Sequence, residues 1–442
     1  MDILVALYVI LYGGLLLTSR REPLLFLRLA FLGAPGLVCA VALQSGWIIS
    51  VYMPIAQTPE LMRQAVTFSA IGLISARLGW TVGAALAQRK RVPPTIQVLD
   101  DLSVKNIVII VFLVVVTWYA EGKGGTIFSN AYANRGANLP LGNLNSIINI
   151  ILAVVMYFYL TNRTFKYMWN VLFAVIAYKI FYANLIRGIR MDALDTLVMI
   201  FVLLGVYREK FSQIRVKYVL AAVIFLFILQ AVGGIRNSFF ERGFADFWST
   251  SFTREVEAGT MLSISTIGPI TATFLGLMYL ADLGYSLPLS RTYLGWVLRI
   301  PPEFVYPERP DDISSIFAEN GLVSGGGSFE LGEAFLTMGL IGVVLVPLVI
   351  SGVFAFLLQR LKKLPHSLVL FVLLASMLAV FSRGGWYQSF AYFKSYVTGL
   401  IILVPLLTIT KKMGTARRLP SPIKRKDPVS RANSIDRQLD RR

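Results

Sequence analysis

The chain has 442 residues, a net charge of +18, and 56% hydrophobic against 15% charged residues. Ordinary soluble domains carry roughly 25% charged residues, so that class is excluded, and recurrent apolar runs long enough to cross hydrocarbon point to helical spans. The alternating segments of a membrane barrel are missing, which leaves an all-α, polytopic integral membrane protein.

Candidate spans in chain order are 2–18, 30–53, 61–87, 106–120, 145–161, 168–186, 193–207, 218–233, 328–358, 367–382 and 391–410, about 11 transmembrane helices in all. The first lacks a basic leader and runs into "SRRE", so it reads as a retained anchor. This divides the chain into N-terminal helices 1–8 (1–233), a large outer loop (234–327), helices 9–11 (328–410) and a basic, disordered cytoplasmic tail (411–442).

The connectors "RRE…R" (20–28), "QRKR" with Lys105 (88–105), "NRTFK" (162–166), "REKFSQIRVK" (208–217) and "QRLKK" (359–363) are each net positive, as is the tail. Strict alternation over eleven spans puts all six on one side. The positive-inside rule then sets the C-terminus in the cytoplasm and the N-terminus outside. The excess of positive charge therefore reads as topology, and nucleic acid is not an expected partner. Cys39 is the only cysteine and His366 the only histidine, which excludes an intrachain disulfide and a multi-histidine metal site.

Charges inside spans need a partner or a cavity. Lys179 and Asp195 flank the turn "RGIRMDA" at comparable depth and are expected to pair across that hairpin; Arg77 has no partner in sequence and is expected to face a wet interior. The opposite face is the unusual one, because arginine is disfavoured there, yet Arg187, Arg190, Arg236, Arg242, Arg254, Arg291, Arg299, Arg309 and Arg383 all fall on it, several of them at span mouths. In the large loop, 261–284 is expected to form an interfacial or re-entrant helix broken at Gly268 and Pro269. A glycine-rich run, "NGLVSGGGSFELGEAF" (320–335), then leads into a span carrying Glu330 and Glu333, and it matches no P-loop. Arginine forks suit phosphate oxygens, and aromatic residues such as Tyr306, Trp386 and Tyr387 suit sugar faces or a membrane belt. A lipid-linked diphosphate sugar satisfies all of these features.

The stretches "RGIRMDALDTLVMIF", "GGIRNSF", "TREVEAG", "IPPEFVYPERP", "SFELGEAFLTMGLIGVVLVPL" and "SRGGWYQSF" follow one another in an order that resembles Wzy-type O-antigen and exopolysaccharide repeat-unit polymerases. They are most similar to the enterobacterial common antigen polymerase branch. The resemblance covers about 180–400. It implies a GT-C-like glycosyltransferase of the bacterial inner membrane with a large periplasmic loop. Such an enzyme moves a growing glycan from undecaprenyl diphosphate onto a new lipid-linked repeat unit at the periplasmic face. Arg187, Arg190, Arg236, Arg254, Arg309 and Arg383 then take the family's substrate-phosphate positions, and Glu257, with Glu330 second, is the candidate base. Either carboxylate also suits a counter-ion to arginine. No cofactor and no metal are expected. The bilayer, a chain-length regulator and a flippase are the further partners implied. Two alternatives remain: an O-antigen ligase-like transferase, which His366 in a cytoplasmic connector disfavours, and a lipid-linked glycan flippase or transporter.

Overall fold

The computed structural model describes residues 2–46, 56–88, 267–289, 292–297, 313–322 and 328–361, with single positions and short stretches between 371 and 393. Among the described residues the regular elements are all helices: α1 (Ile3–Ser19), α2 (Pro23–Ser45), α3 (Pro59–Gln88), α4 (Ile267–Asp282), α5 (Tyr293–Val297), α6 (Ile313–Glu319) and α7 (Glu330–Leu361). Three of them, α2, α3 and α7, are long and apolar enough to cross a membrane. The chain is a helical membrane protein. The spans expected at 106–233 and 391–410, the Lys179–Asp195 pair and the basic tail lie outside the described residues.

Asp2 caps α1 by accepting from the Leu4 backbone N–H at 3.1 Å, and it also accepts from Arg63 Nε at 3.2 Å, which ties the start of α1 to the start of α3. A phenol buried in an apolar core must find an acceptor. Tyr8 donates to the Gly33 carbonyl at 2.5 Å and Tyr12 to the Ala30 carbonyl at 2.8 Å. The residue numbers rise on α1 as they fall on α2, so the two helices are antiparallel.

Helix α2 differs from the expected span 30–53. Pro23 opens it from the first turn, where a missing N–H costs nothing, and Gly46 closes it in the left-handed region at φ 69°. Arg28 therefore lies inside the helix, fully buried, and not in a basic connector. It drops out of the topological charge count. Arg77 also departs from expectation: it donates to Glu22 at 3.1 Å and to Ser19 at 3.3 Å, while Trp80 Nε1 donates to the other Glu22 oxygen at 2.9 Å. Its partner sits in the turn between α1 and α2, so no wet interior is needed to hold it.

Small residues let α3 approach its neighbours closely. A Cβ placed on Gly79 would sit 2.0 Å from the Leu348 carbonyl oxygen, and one on Gly83 would sit 2.0 Å from that of Gly352. This is backbone-to-backbone packing of the kind that small residues spaced four apart permit within membranes. The step of four is in the same sense on both helices, so α3 and this part of α7 run parallel.

Helix α7 is not one straight span. Gly339 has φ 61° and ψ −148°, a conformation open essentially to glycine alone, and it divides the helix into arms 330–338 and 340–361. A straight helix would hold Glu330 and Ser351 about 31 Å apart, at 1.5 Å per residue. Here one guanidinium, that of Arg28, touches both. The arms must fold back on each other. Register confirms it: Leu331 packs on Gly72 and Phe335 on Phe68, with ring centroids 4.6 Å apart, so the first arm runs antiparallel to α3. The single span expected over 328–358 is thus a hinged pair, and its first arm begins alongside the middle of α3.

Helix α4 lies beside that first arm, with Phe274 against Phe329 at 4.9 Å and Leu277 against Gly332. Gly268 and Pro269 stand at the start of its described part, and residues 261–266, where the expected helix begins, lie outside the described residues. From Thr271 to Leu280 it is almost wholly buried against its helical neighbours.

Candidate functional site

The buried charge of the described residues concentrates where α2, the first arm of α7 and the segment after 370 converge. Arg28 is the organising side chain. Its Nη1 and Nη2 each donate to one oxygen of Glu330 at 2.5 Å, Nε donates to Ser351 Oγ at 3.2 Å, and Nη1 also reaches Ser382 Oγ at 2.8 Å. Ser382 in turn donates to the Leu378 carbonyl at 2.6 Å. Arg28 and Glu330 are 0% and 1% exposed, which makes the paired geometry essential, because an isolated charge at this depth would be expelled or neutralised. The planar fork of arginine matches a carboxylate with two parallel bonds; lysine cannot make both.

One helical turn further along, Glu333 is also buried. Ser328 donates to its Oε1, and the backbone N–H of Trp386 donates to its Oε2 at 2.7 Å. Gly385 has φ 69°, and a Cβ there would lie 2.8 Å from the Glu333 carboxyl carbon. The glycine is needed twice over, for its backbone conformation and for the space the carboxylate fills. Gly385→Ala is expected to lower stability by about 1–3 kcal/mol through this overpacking and strain. A melting temperature unchanged in detergent would refute that account of the residue.

The Trp386 ring stands edge-on to Tyr293 at 5.3 Å and to Phe381 at 5.1 Å, and its Nε1 donates to the Tyr293 carbonyl at 3.2 Å. Burial holds the Tyr293 hydroxyl well above the usual phenol range, and the charges of Glu333 and Glu330 push it the same way, so it stays protonated. The junction thus offers two carboxylates three residues apart, one matched to an arginine and the other cradled by a hydroxyl, a backbone N–H and a glycine. Among the described residues no group of three or more acidic, histidine or cysteine side chains is arranged to hold a metal ion.

Of the residues expected from sequence, Glu330 and Trp386 come together here. Both oxygens of Glu330 are taken by the Arg28 fork, a geometry that suits a counter-ion better than a proton acceptor. Arg187, Arg190, Arg236, Arg254, Arg309, Arg383, Glu257, Tyr306 and Tyr387 lie outside the described residues. Sequence reasoning missed Arg28 altogether, because its charge sits close to two exposed arginines at the end of a hydrophobic run. A cue existed: "PLLFLRLAFLGAP" keeps its apolar character on both sides of that arginine.

Compared with protein-family models, curated proteins and solved structures, the chain matches none.

Proposed function

We propose that this membrane protein is a GT-C-like glycosyltransferase with about eleven spans. It polymerises undecaprenyl-diphosphate-linked oligosaccharide repeat units at the periplasmic face of a bacterial inner membrane. Its N-terminus is periplasmic and its C-terminus cytoplasmic, and it works with a chain-length regulator and a flippase. The observation that carries this reading is the contact between two stretches that follow the polymerase order in sequence. "SFELGEAF" supplies Ser328, Glu330 and Glu333, "SRGGWYQSF" supplies Ser382, Gly385 and Trp386, and they interlock around the Glu333 carboxylate.

The chemistry follows from the substrate. The acceptor hydroxyl oxygen attacks the anomeric carbon of the growing glycan, the bond from that carbon to the diphosphate oxygen breaks, and undecaprenyl diphosphate departs. Arg187, Arg190, Arg236, Arg254, Arg309 and Arg383 neutralise the charge that develops on it. The proton lost by the acceptor passes to a carboxylate, for which Glu257 is the better candidate given the engagement of Glu330. No cofactor is required, because diphosphate is already a good leaving group.

One observation favours a second reading, a lipid-linked glycan flippase. Transporters build substrate sites from broken helices that begin partway across the membrane, and the first arm of α7 begins beside the middle of α3. The two readings separate in one experiment. Purified protein in nanodiscs is given the unpolymerised undecaprenyl-diphosphate repeat unit extracted from host cells that lack it. Ladders of polymer are the expected product. Transfer only when a lipid A core is added would indicate a ligase, and movement across the bilayer without bond formation a flippase. Arg187→Ala and Arg383→Ala are expected to abolish polymer with membrane insertion intact; full activity in both would remove the diphosphate-clamp assignment.

A further inference from the structure

We infer that Arg28 is a positioning residue: its fork sets the first arm of α7 against the segment carrying Gly385 and Trp386, and thereby sets the Glu333 cradle. The inference follows from which segments that one side chain joins. Glu330 is the first residue of the arm that also bears Glu333; Ser351 lies on the second arm; Ser382 precedes Gly385 by less than one turn. Three stretches separated by a glycine hinge and by sequence distance thus meet on a single guanidinium, and four of its five N–H donors are used in doing so.

The need for such a tie is physical. The first arm is nine residues long, too short to be stable by itself, and its link to the second arm is a glycine whose backbone has the most freedom to lose. Phe329, Leu331 and Phe335 pack the arm against α4 and α3 through apolar contacts, which are non-directional. Two parallel hydrogen bonds between planar groups fix the arm's rotation, because they restrict angle as well as distance. Rotation of the first turn would carry Glu333 away from the Trp386 N–H and the Gly385 Cα. A charge without a fork would hold the arm in place without setting its rotation, so the guanidinium shape matters beyond its charge.

The activity consequence rests on the polymerase reading; the conformational one does not, and the test keeps them apart. Full-length wild type, Arg28→Lys and Ser382→Ala are reconstituted in nanodiscs. Hydrogen–deuterium exchange is read over 328–338 and, as a control, over 59–88. Steady-state polymerisation is measured with the same extracted undecaprenyl-diphosphate repeat unit. Arg28→Lys is expected to raise amide exchange by about tenfold in 328–338 while 59–88 stays protected, since local opening is set by local ties. It is expected to lower kcat by about a hundredfold with KM unchanged, because Ser382 adjoins Arg383, which the polymerase reading assigns to the departing diphosphate, and a misplacement of about one ångström there costs that much. Ser382→Ala, which removes one tie of three segments, should show the same pattern more weakly. Unchanged exchange in 328–338, or an exchange rise of equal size in 59–88, would overturn the inference; so would full activity of Arg28→Lys in an active wild-type background. If wild type makes no polymer, the polymerase reading fails and the exchange pattern alone decides the positioning role.

Discussion

Arg28→Ala is expected to destabilise the protein by about 3–5 kcal/mol, the usual cost of removing one partner from a buried ion pair. The loss does not measure the strength of the pair. It measures Glu330 left charged, or forced to take a proton, at a site 1% exposed. The double variant Arg28→Met with Glu330→Leu is therefore expected to recover most of that stability, because both desolvation costs vanish together and the volumes are similar. Equilibrium unfolding in mixed micelles, or melting in detergent followed by tryptophan fluorescence, reads both. A double variant as unstable as Arg28→Ala would mean that the serine contacts to Ser351 and Ser382 carry the energy instead. Recovered stability with activity still lost would be the sign that the pair serves geometry more than cohesion.

The second large effect is expected at the crossing of α3 and α7. Gly79→Val and Gly83→Val should each cost about 3 kcal/mol, at the upper end for overpacking, because the added atoms meet main-chain carbonyls that cannot rotate away. The clash distance is 2.0 Å at both, whereas a Cβ on Gly352 would meet the Gly79 carbonyl oxygen at 3.2 Å. Gly352→Ala should accordingly cost less. Gly13→Ala, with nothing within 4 Å of the added Cβ, should be neutral or raise stability by up to about 1 kcal/mol through helix propensity. This order is the test, since it depends on the crossing and not on glycine content. Melting temperatures that do not follow it would mean the two helices do not touch through their backbones.

Composition and apolar run length alone determined the class of protein, and they placed α1 and α3 within two residues of their ends. These are properties of single segments in contact with lipid, and hydropathy averaged over a window reports them faithfully. The same averaging concealed Gly339, whose neighbours on both sides are apolar, so one continuous run over 328–358 looked like one span. It also concealed Arg28. A count of charges by connector assigns each arginine to the nearest loop, while the partner that holds this one inside, Glu330, is 302 residues away.

Glu330, Glu333 and Trp386 were visible beforehand as residue types worth noticing, and Ser328, Gly385 and Ser382 lay in stretches already singled out. Their roles were not visible. Whether a carboxylate is a base or a counter-ion depends on what faces it. For Glu330 that is a guanidinium delivered by α2, and for Glu333 a backbone N–H delivered by the chain fifty-three residues on. Sequence determined that the chain is helical and lives in a membrane, because those follow from local polarity. Only the tertiary structure decided which charges neutralise one another and where a helix turns back, because both depend on contacts between segments that no local pattern encodes.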